Sequence, residues 1–411
     1  MTKELRVLRT SEWDRWYEAF LLAFGGAGES AEEQALWAGL AEHDRFIGVW
    51  DGDECVGTAG AFSFRVTVPG GASVPAAGVT MVSVGATHRR QGVLTSMMRR
   101  QLDDVREWGE PLAVLTASEP PIYGRFGYGA ATQKLSLDID SSRVRVDAPL
   151  GTDGVRLRRA RSTDPEVQRV CEELYAADVA VRPGMTARTA GWDRVQFFDP
   201  ADDRHGKSAS QCVLAERDGE SVGFVLFQTK PEFDTRGPKG TVHLHHLHAR
   251  DAAAYAALWR FLFDIDLTST VSVNNRPADD AIQHLVSDVR RSSMLLRDGL
   301  YVRLVEVGAA LEARTYQAPV DVVIEVEDSF CPWNEGRWRL SGDAKGASCE
   351  RTADPAELSL SARELGAAYL GGVTLSSLAR AGRVRELREG ALAAASPAFA
   401  SDIAPWLPHG F

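Results

Sequence analysis

The segment 79–92 constrains this chain more than any other. An apolar run from Val79 to Val84 passes through Thr87-His88-Arg89-Arg90-Gln91-Gly92 into a stretch where Leu94, Met97, Met98, Leu102 and Val105 recur at helical spacing. Strand, glycine turn and helix in that order mark an α/β unit. The same junction makes an anion site. The first backbone N–H groups of a helix lack an intrahelical acceptor, the helix dipole is positive there, and a glycine lets an anion come close. Arg89 and Arg90 add charge where a pyrophosphate would sit, in an acidic stretch whose residues 1–140 carry 13 Lys+Arg, these two included, against 19 Asp+Glu.

The rest of the first 150 residues reads as the same mixed unit. Helical spacing over 11–24 puts Trp13, Trp16, Tyr17, Phe20, Leu21 and Phe24 on one face, with Ser11 as the cap. A second helix is expected around 32–42, carrying Leu36, Trp37 and Leu40. Strands are expected at 46–50 and 56–68, joined at Asp51-Gly52-Asp53, where Asp-Gly signals a hairpin. A buried strand at 112–117, an irregular segment at 118–129 and a final strand at 132–139 complete it.

The middle third repeats this plan. Val213-Leu-Ala-Glu-Arg-Asp218-Gly219-Glu220-Ser-Val222-Gly223 echoes Ile47-Gly-Val-Trp-Asp51-Gly52-Asp53-Glu-Cys-Val56-Gly57, which points to duplication. In the second copy the strand 242–248 enters its helix through Ala249-Arg250-Asp251-Ala252, without the glycine turn of Gly92, so the anion site is expected to be lost there. From about Val307 the pattern changes to a helix, strands at 322–326, 337–340 and 357–360, and helices toward Phe411. The expected domains are 1–150, 151–306 and 307–411, and 411 residues are enough for each to bury a core.

Charge narrows the partners. Lys+Arg 46 against Asp+Glu 57 gives a net charge of −11, which disfavours nucleic-acid backbones and anionic membrane surfaces and suits a cationic partner. Neither a nucleic acid nor a membrane is expected as a partner. The charged start of the chain and the want of any 18-residue apolar run predict a cytoplasmic protein. Five scattered cysteines form no C-x-x-C pair and read as reduced core thiols. His243, His245, His246 and His248 alternate along a strand with no carboxylate or cysteine at ligand spacing, so no metal is expected. Neither a G-x-S-x-G elbow nor a P-loop occurs.

Val82-Ser-Val84-Gly-Ala-Thr-His88-Arg89-Arg90-Gln-Gly92-Val93-Leu94 resembles the acetyl-CoA pyrophosphate motif of the Gcn5-related N-acetyltransferases (GNAT). Ser118-Glu119-Pro-Pro-Ile122-Tyr123-Gly124-Arg125-Phe126-Gly127-Tyr128-Gly129 narrows the likeness to the enhanced intracellular survival (Eis) acetyltransferases, which acetylate amines of aminoglycosides and other polyamines. The resemblance implies an α/β (α+β) chain: two tandem GNAT-like domains with mixed sheets, then a sterol-carrier-protein-like domain ending in an aromatic residue, here Phe411. It also implies a homohexamer. By position, Val82, Val84, Arg89, Arg90, Gly92 and Val93 would hold the co-substrate acetyl-CoA, with Ser118 and Glu119 nearby. Tyr123 would be the general acid, and the carboxylate of Phe411 the base. Phe24, Trp37 and Met81 are expected at the substrate pocket; Trp13 and Trp16 have the spacing of core residues.

The chemistry needs both roles. An ammonium near pKa ~10.4 must lose a proton before it attacks a thioester, and a thiolate whose conjugate acid lies near ~8.5 must gain one. A phenol near pKa ~10 is a competent donor, whereas an α-carboxylate near ~3.5 is a weak base and is better suited to orienting the amine or a water. Acidic side chains that would favour a polycation are missing at Gly26 and Gly410, where the family resemblance would look for them. The expected activity is acetyl-CoA-dependent N-acetylation of primary amines of aminoglycosides or related polyamines, by direct attack. Alternatives are a protein-lysine or small-metabolite amine acetyltransferase, and a lipid-binding protein with a vestigial cofactor site.

Overall fold

In the computed structural model, which describes residues 3–26, 28–235 and 237–411, three large sheets carry the chain, beside a two-stranded ribbon of Phe233–Asp234 and Gly237–Pro238. The first is eight-stranded. Glu4–Val7 (β1), Ile47–Asp51 (β2), Glu54–Thr67 (β3), Ser73–Val84 (β4) and Leu112–Thr116 (β5) run in that order, followed by Leu300–Leu304 and Gly129–Ala130, while Thr186–Ala187 pairs with β3 off the path. Helices Trp13–Ala23 (α1) and Ala31–Leu40 (α2) contribute to an aromatic cluster on one face, and Val93–Glu107 (α3) buries Met98, Leu102 and Val105 on the other.

Ser11 does not cap α1. Residues Thr10–Glu12 form a 3-10 turn, because Glu12 is taken by Arg6 at 2.6 Å and accepts from the Arg9 backbone N–H, so the helix starts at Trp13. Ser30 caps α2, its hydroxyl accepting from Glu33 N–H at 3.1 Å. β4 is twice as long as the apolar run implied. Its N-terminal half contributes Val74 and Ala76 to a core shared with the third domain. The segment expected to be irregular contains a helical turn, Pro120–Tyr123, started by proline at its first position.

The strand expected at 132–139 exists, as Gln133–Asp140, yet it lies in the other sheet. That seven-stranded sheet runs Ser292–Asp298, Gln133–Asp140, Thr268–Pro277, Gly240–Ala249, Glu220–Lys230, Gln211–Arg217, Arg156–Ala160. In return Leu300–Leu304 fills the first sheet beside β5. The two sheets therefore exchange a strand each, and a cut at residue 150 separates neither. Thr132 pins the crossing, its Oγ1 accepting from Leu300 N–H at 2.7 Å and its carbonyl from Gly299 N–H at 2.9 Å. The duplication is visible in the register. Val49 pairs with Gly57 and Asp51 with Glu54, as Ala215 pairs with Gly223 and Arg217 with Glu220, and a bulge follows the first pair in both hairpins.

The third sheet runs Gly346–Arg351, Gly336–Asp343, Val320–Glu327, Leu358–Ser361, Val384–Glu386. One core spans it and the first sheet, joining Val66, Val114 and Val302 to Ile324, Leu360 and Phe399. The approach is close. A Cβ at Gly129 would stand 2.0 Å from the carbonyl oxygen of Arg363, so only glycine fits where helix Ala362–Ala368 meets the first sheet.

Candidate active site

β4 and β5 pair in parallel only at Ala76/Leu112, Ala77/Ala113 and Gly78/Val114, then diverge. Among the described residues the edge of β4 beyond Gly78 has no ladder partner on that side, and β5 is held on its own far side by Leu300–Leu304. The split opens into a cleft of about 450 Å³ lined by Phe24, Val82, Val84, Arg89, Arg90, Gly92, Val93, Ser118, Glu119 and Tyr123. The structure thus brings together every residue expected near acetyl-CoA, with Tyr123 and Phe24.

α3 begins at this cleft, and among the described residues no side chain makes a capping hydrogen bond to its end. Gly92, the residue before it, has φ +81°, a left-handed conformation that disfavours other residues, and nothing lies within 4 Å of where its Cβ would be. Fifteen residues of helix aim their positive end at that open space, flanked by Arg89 and Arg90. This fits a pyrophosphate. The second copy does not: Asp251 caps helix Ala252–Phe263 by accepting from Ala254 N–H at 2.9 Å. Its carboxylate pairs with Arg217 and is held down to about 2, so an anion would meet fixed negative charge.

Tyr123 is buried between strand and helical turn, 6.1 Å from the Tyr128 ring. Burial, then Glu119, pushes its phenol up to about 12, so it stays protonated at neutral pH. Among the described residues its hydroxyl has no hydrogen-bond partner and is free to donate to a bound molecule.

Trp37, Met81 and Phe411 do not line this cleft. They lie on the opposite face of the sheet, in an aromatic cluster with Phe62, Phe64 and Trp192. The Phe411 ring stands 4.9 Å from Phe64 at 66°, and it comes within 3.3 Å of the Cβ position of Gly78, the last paired residue before the split. Tyr123 packs with Ala77 and Val79, whose side chains alternate with Gly78, so Tyr123 and Phe411 approach β4 from opposite faces at the place where the sheet opens. Met81 sits at a register shift in the β3/β4 pairing with φ +50°. Trp13 and Trp16 are core, as their spacing predicts.

Trp192 and a group of carboxylates escaped the sequence reading. Trp37 faces Trp192 at 6.1 Å, and the nearby Glu33 carboxyl is raised by burial and then by Glu29, with Asp203 adding to it. Acid thus stands beside the aromatic cluster although Gly26 and Gly410 carry none. No motif could have flagged it, because Asp203 and Trp192 come from a stretch some 170 residues away in sequence. On the histidine strand His248 bonds Asp178 and His245 bonds Gln228. Among the described residues no group of three or more His, Cys, Asp or Glu is placed to hold a metal ion, and no helix is long and apolar enough to cross a membrane.

Models described as Acetyltransferase (GNAT) domain match residues 4–131 and 184–304, and one described as Sterol carrier protein domain matches 307–408. An uncharacterized N-acetyltransferase of Streptomyces avermitilis is 67% identical over the full length of both chains. N-acetyltransferase Eis of Mycobacterium tuberculosis is 34% identical, covering 95% of this chain and 96% of its own. The crystal structure of Eis1 from Mycobacterium abscessus superposes with a TM-score of 0.84 at 34% identity, covering all of both chains.

Proposed function

Because the chain belongs to the Eis family of GNAT N-acetyltransferases, we propose that it transfers acetyl from acetyl-CoA to primary amines of aminoglycosides or related polyamines. The observation that carries this reading is the split between β4 and β5, with the open helix N-terminus and Tyr123 on one face and the C-terminal residue on the other. Backbone N–H groups after Gly92, with Arg89 and Arg90, would hold the pyrophosphate, and the unpaired edge of β4 past Gly78 would align the thioester arm. The amine nitrogen forms a bond to the acetyl carbon as the C–S bond breaks. Tyr123 gives its proton to the departing sulfur, and the amine gives one to the Phe411 carboxylate or to water that it orients.

Glu29, Glu33 and Asp203 beside Trp37 and Trp192 favour an acceptor with several positive charges over a single neutral amine, since aromatic faces and carboxylates both attract ammonium groups. A lipid-binding role is disfavoured by the third domain's interior, which its own side chains occupy. Arg314, buried among Tyr316, Tyr369 and Phe399, donates to the carbonyl of Tyr369 and to that of Phe399 at 2.9 Å.

The test is thiol release from acetyl-CoA with aminoglycosides, linear polyamines and lysine peptides, with acetyl groups on the product counted by mass. Acetylation of the polyamine class is expected. Release with lysine peptides alone would move the reading to protein-lysine acetylation, and failure to bind acetyl-CoA would refute it.

A further inference from the structure

The second sheet keeps a split of its own. Strands Gly240–Ala249 and Thr268–Pro277 pair in parallel from Gly240/Thr268 to Leu244/Val273 and then part, as β4 and β5 part after Gly78. The anion end of this second split is closed by Asp251, but its mouth is filled by the chain's own C-terminal segment.

Asn275, on one of the parting strands, holds two consecutive residues of that segment. Its Oδ1 accepts from the indole Nε1–H of Trp406 at 2.8 Å, and its Nδ2 donates to the carbonyl of Leu407 at 2.9 Å. From the other strand the His248 ring lies 6.2 Å from that of Trp406, and Arg276, 5.4 Å over the indole, spans the opening by donating to the Leu247 carbonyl at 3.0 Å. Upstream, the Ala404 N–H donates to Asp279 at 2.9 Å and Arg182 donates to the Ala404 carbonyl at 2.7 Å. Downstream, His409 stacks on Trp192 at 6.1 Å, and Phe411 then reaches Phe64 and Gly78 at the first split.

The geometry points to a converted site: the second acetyltransferase domain uses its vestigial donor split to seat residues 404–409, and Asn275 is the positioning residue that sets where the terminal carboxylate of Phe411 lies in the first domain. The second domain's contribution to turnover is therefore the register of the tail. The catalytic half of this inference rests on the assignment of Phe411 proposed above.

Asn275→Ala and the milder Trp406→Phe, which keeps an aromatic side chain but removes the indole N–H, test it in the full chain. Expected is a fall in kcat of about 10- to 100-fold, the scale of a misplaced reacting group, with KM for acetyl-CoA unchanged because the Gly92 cleft is untouched. Carboxypeptidase should release Phe411 faster from both variants than from the parent, and Asn275→Ala should cost nothing further in a chain lacking Phe411. Parent-like turnover and parent-like carboxypeptidase release in both variants overturn the inference, whatever deletion of Phe411 does. If that deletion leaves turnover intact, the catalytic role of Phe411 and the positioning role of Asn275 both fall, and protection from carboxypeptidase then decides the seat alone.

Discussion

Replacing Tyr123 by phenylalanine separates chemistry from structure at this site. The ring is buried against Tyr128, and among the described residues the hydroxyl has no partner to leave unpaired, so its loss should cost the fold less than ~1 kcal/mol. The chemical cost is larger. With the phenol at about 12 and a thiol near ~8.5, full proton transfer to a free thiolate is uphill by ~3.5 pKa units, or about 5 kcal/mol. With Tyr123 as the proposed donor, that gap favours a proton that moves as the C–S bond breaks over a stepwise transfer. Removing such a donor should lower kcat by about 10²- to 10⁴-fold while leaving KM for acetyl-CoA near the parent value. The parent should show no falling limb from Tyr123 below pH 11, its rate rising instead as the acceptor amine deprotonates. Stability carries the same signature with the opposite slope. Between the ordinary phenol value near ~10 and the folded value of about 12 the native state holds the extra proton, so stability falls as pH rises through that window. Thiol release by stopped flow, beside a thermal melt, measures both. A Tyr123→Phe enzyme with kcat within about threefold of the parent would refute the role of the hydroxyl as donor.

Gly92→Asp places a carboxylate at the open end of α3; aspartate enters the left-handed region more readily than most residues, so its strain at φ +81° should lower the melting temperature only modestly while acetyl-CoA affinity by calorimetry falls at least ~10-fold. Asp328→Ala strips the partner from Arg303, which it meets at 2.6 Å where both side chains are buried, and should destabilise the protein by about 3–5 kcal/mol in urea unfolding.

Several features of the fold were legible in the chain itself. The glycine turn at Gly92, the arginines before it and the helical stripe of α3 are local, and local backbone chemistry fixes an open helix N-terminus wherever that segment folds. Asp251 in place of a glycine says as directly that the second copy cannot offer one. The echo of 47–57 in 213–223 announced the duplication, and the structure adds a bulge at the matching place in both hairpins. The hydrophobic pattern of 132–139 likewise announced a strand, which forms at Gln133–Asp140.

What the pattern could not announce was the strand's neighbours. Alternation of side chains specifies two faces and is silent about which edge a strand joins, so the exchange of Gln133–Asp140 for Leu300–Leu304 is decided by tertiary packing and by Thr132 at the crossing. The same limit applies to the site. Trp192, Asp203 and the aromatic cluster around Phe411 assemble from segments hundreds of residues apart, which no spacing rule connects. The sequence determined the open N-terminus of α3 because one turn builds it; the split between β4 and β5 and the seat of the C-terminal segment draw on stretches far apart in the chain, and only the folded molecule brings those surfaces together.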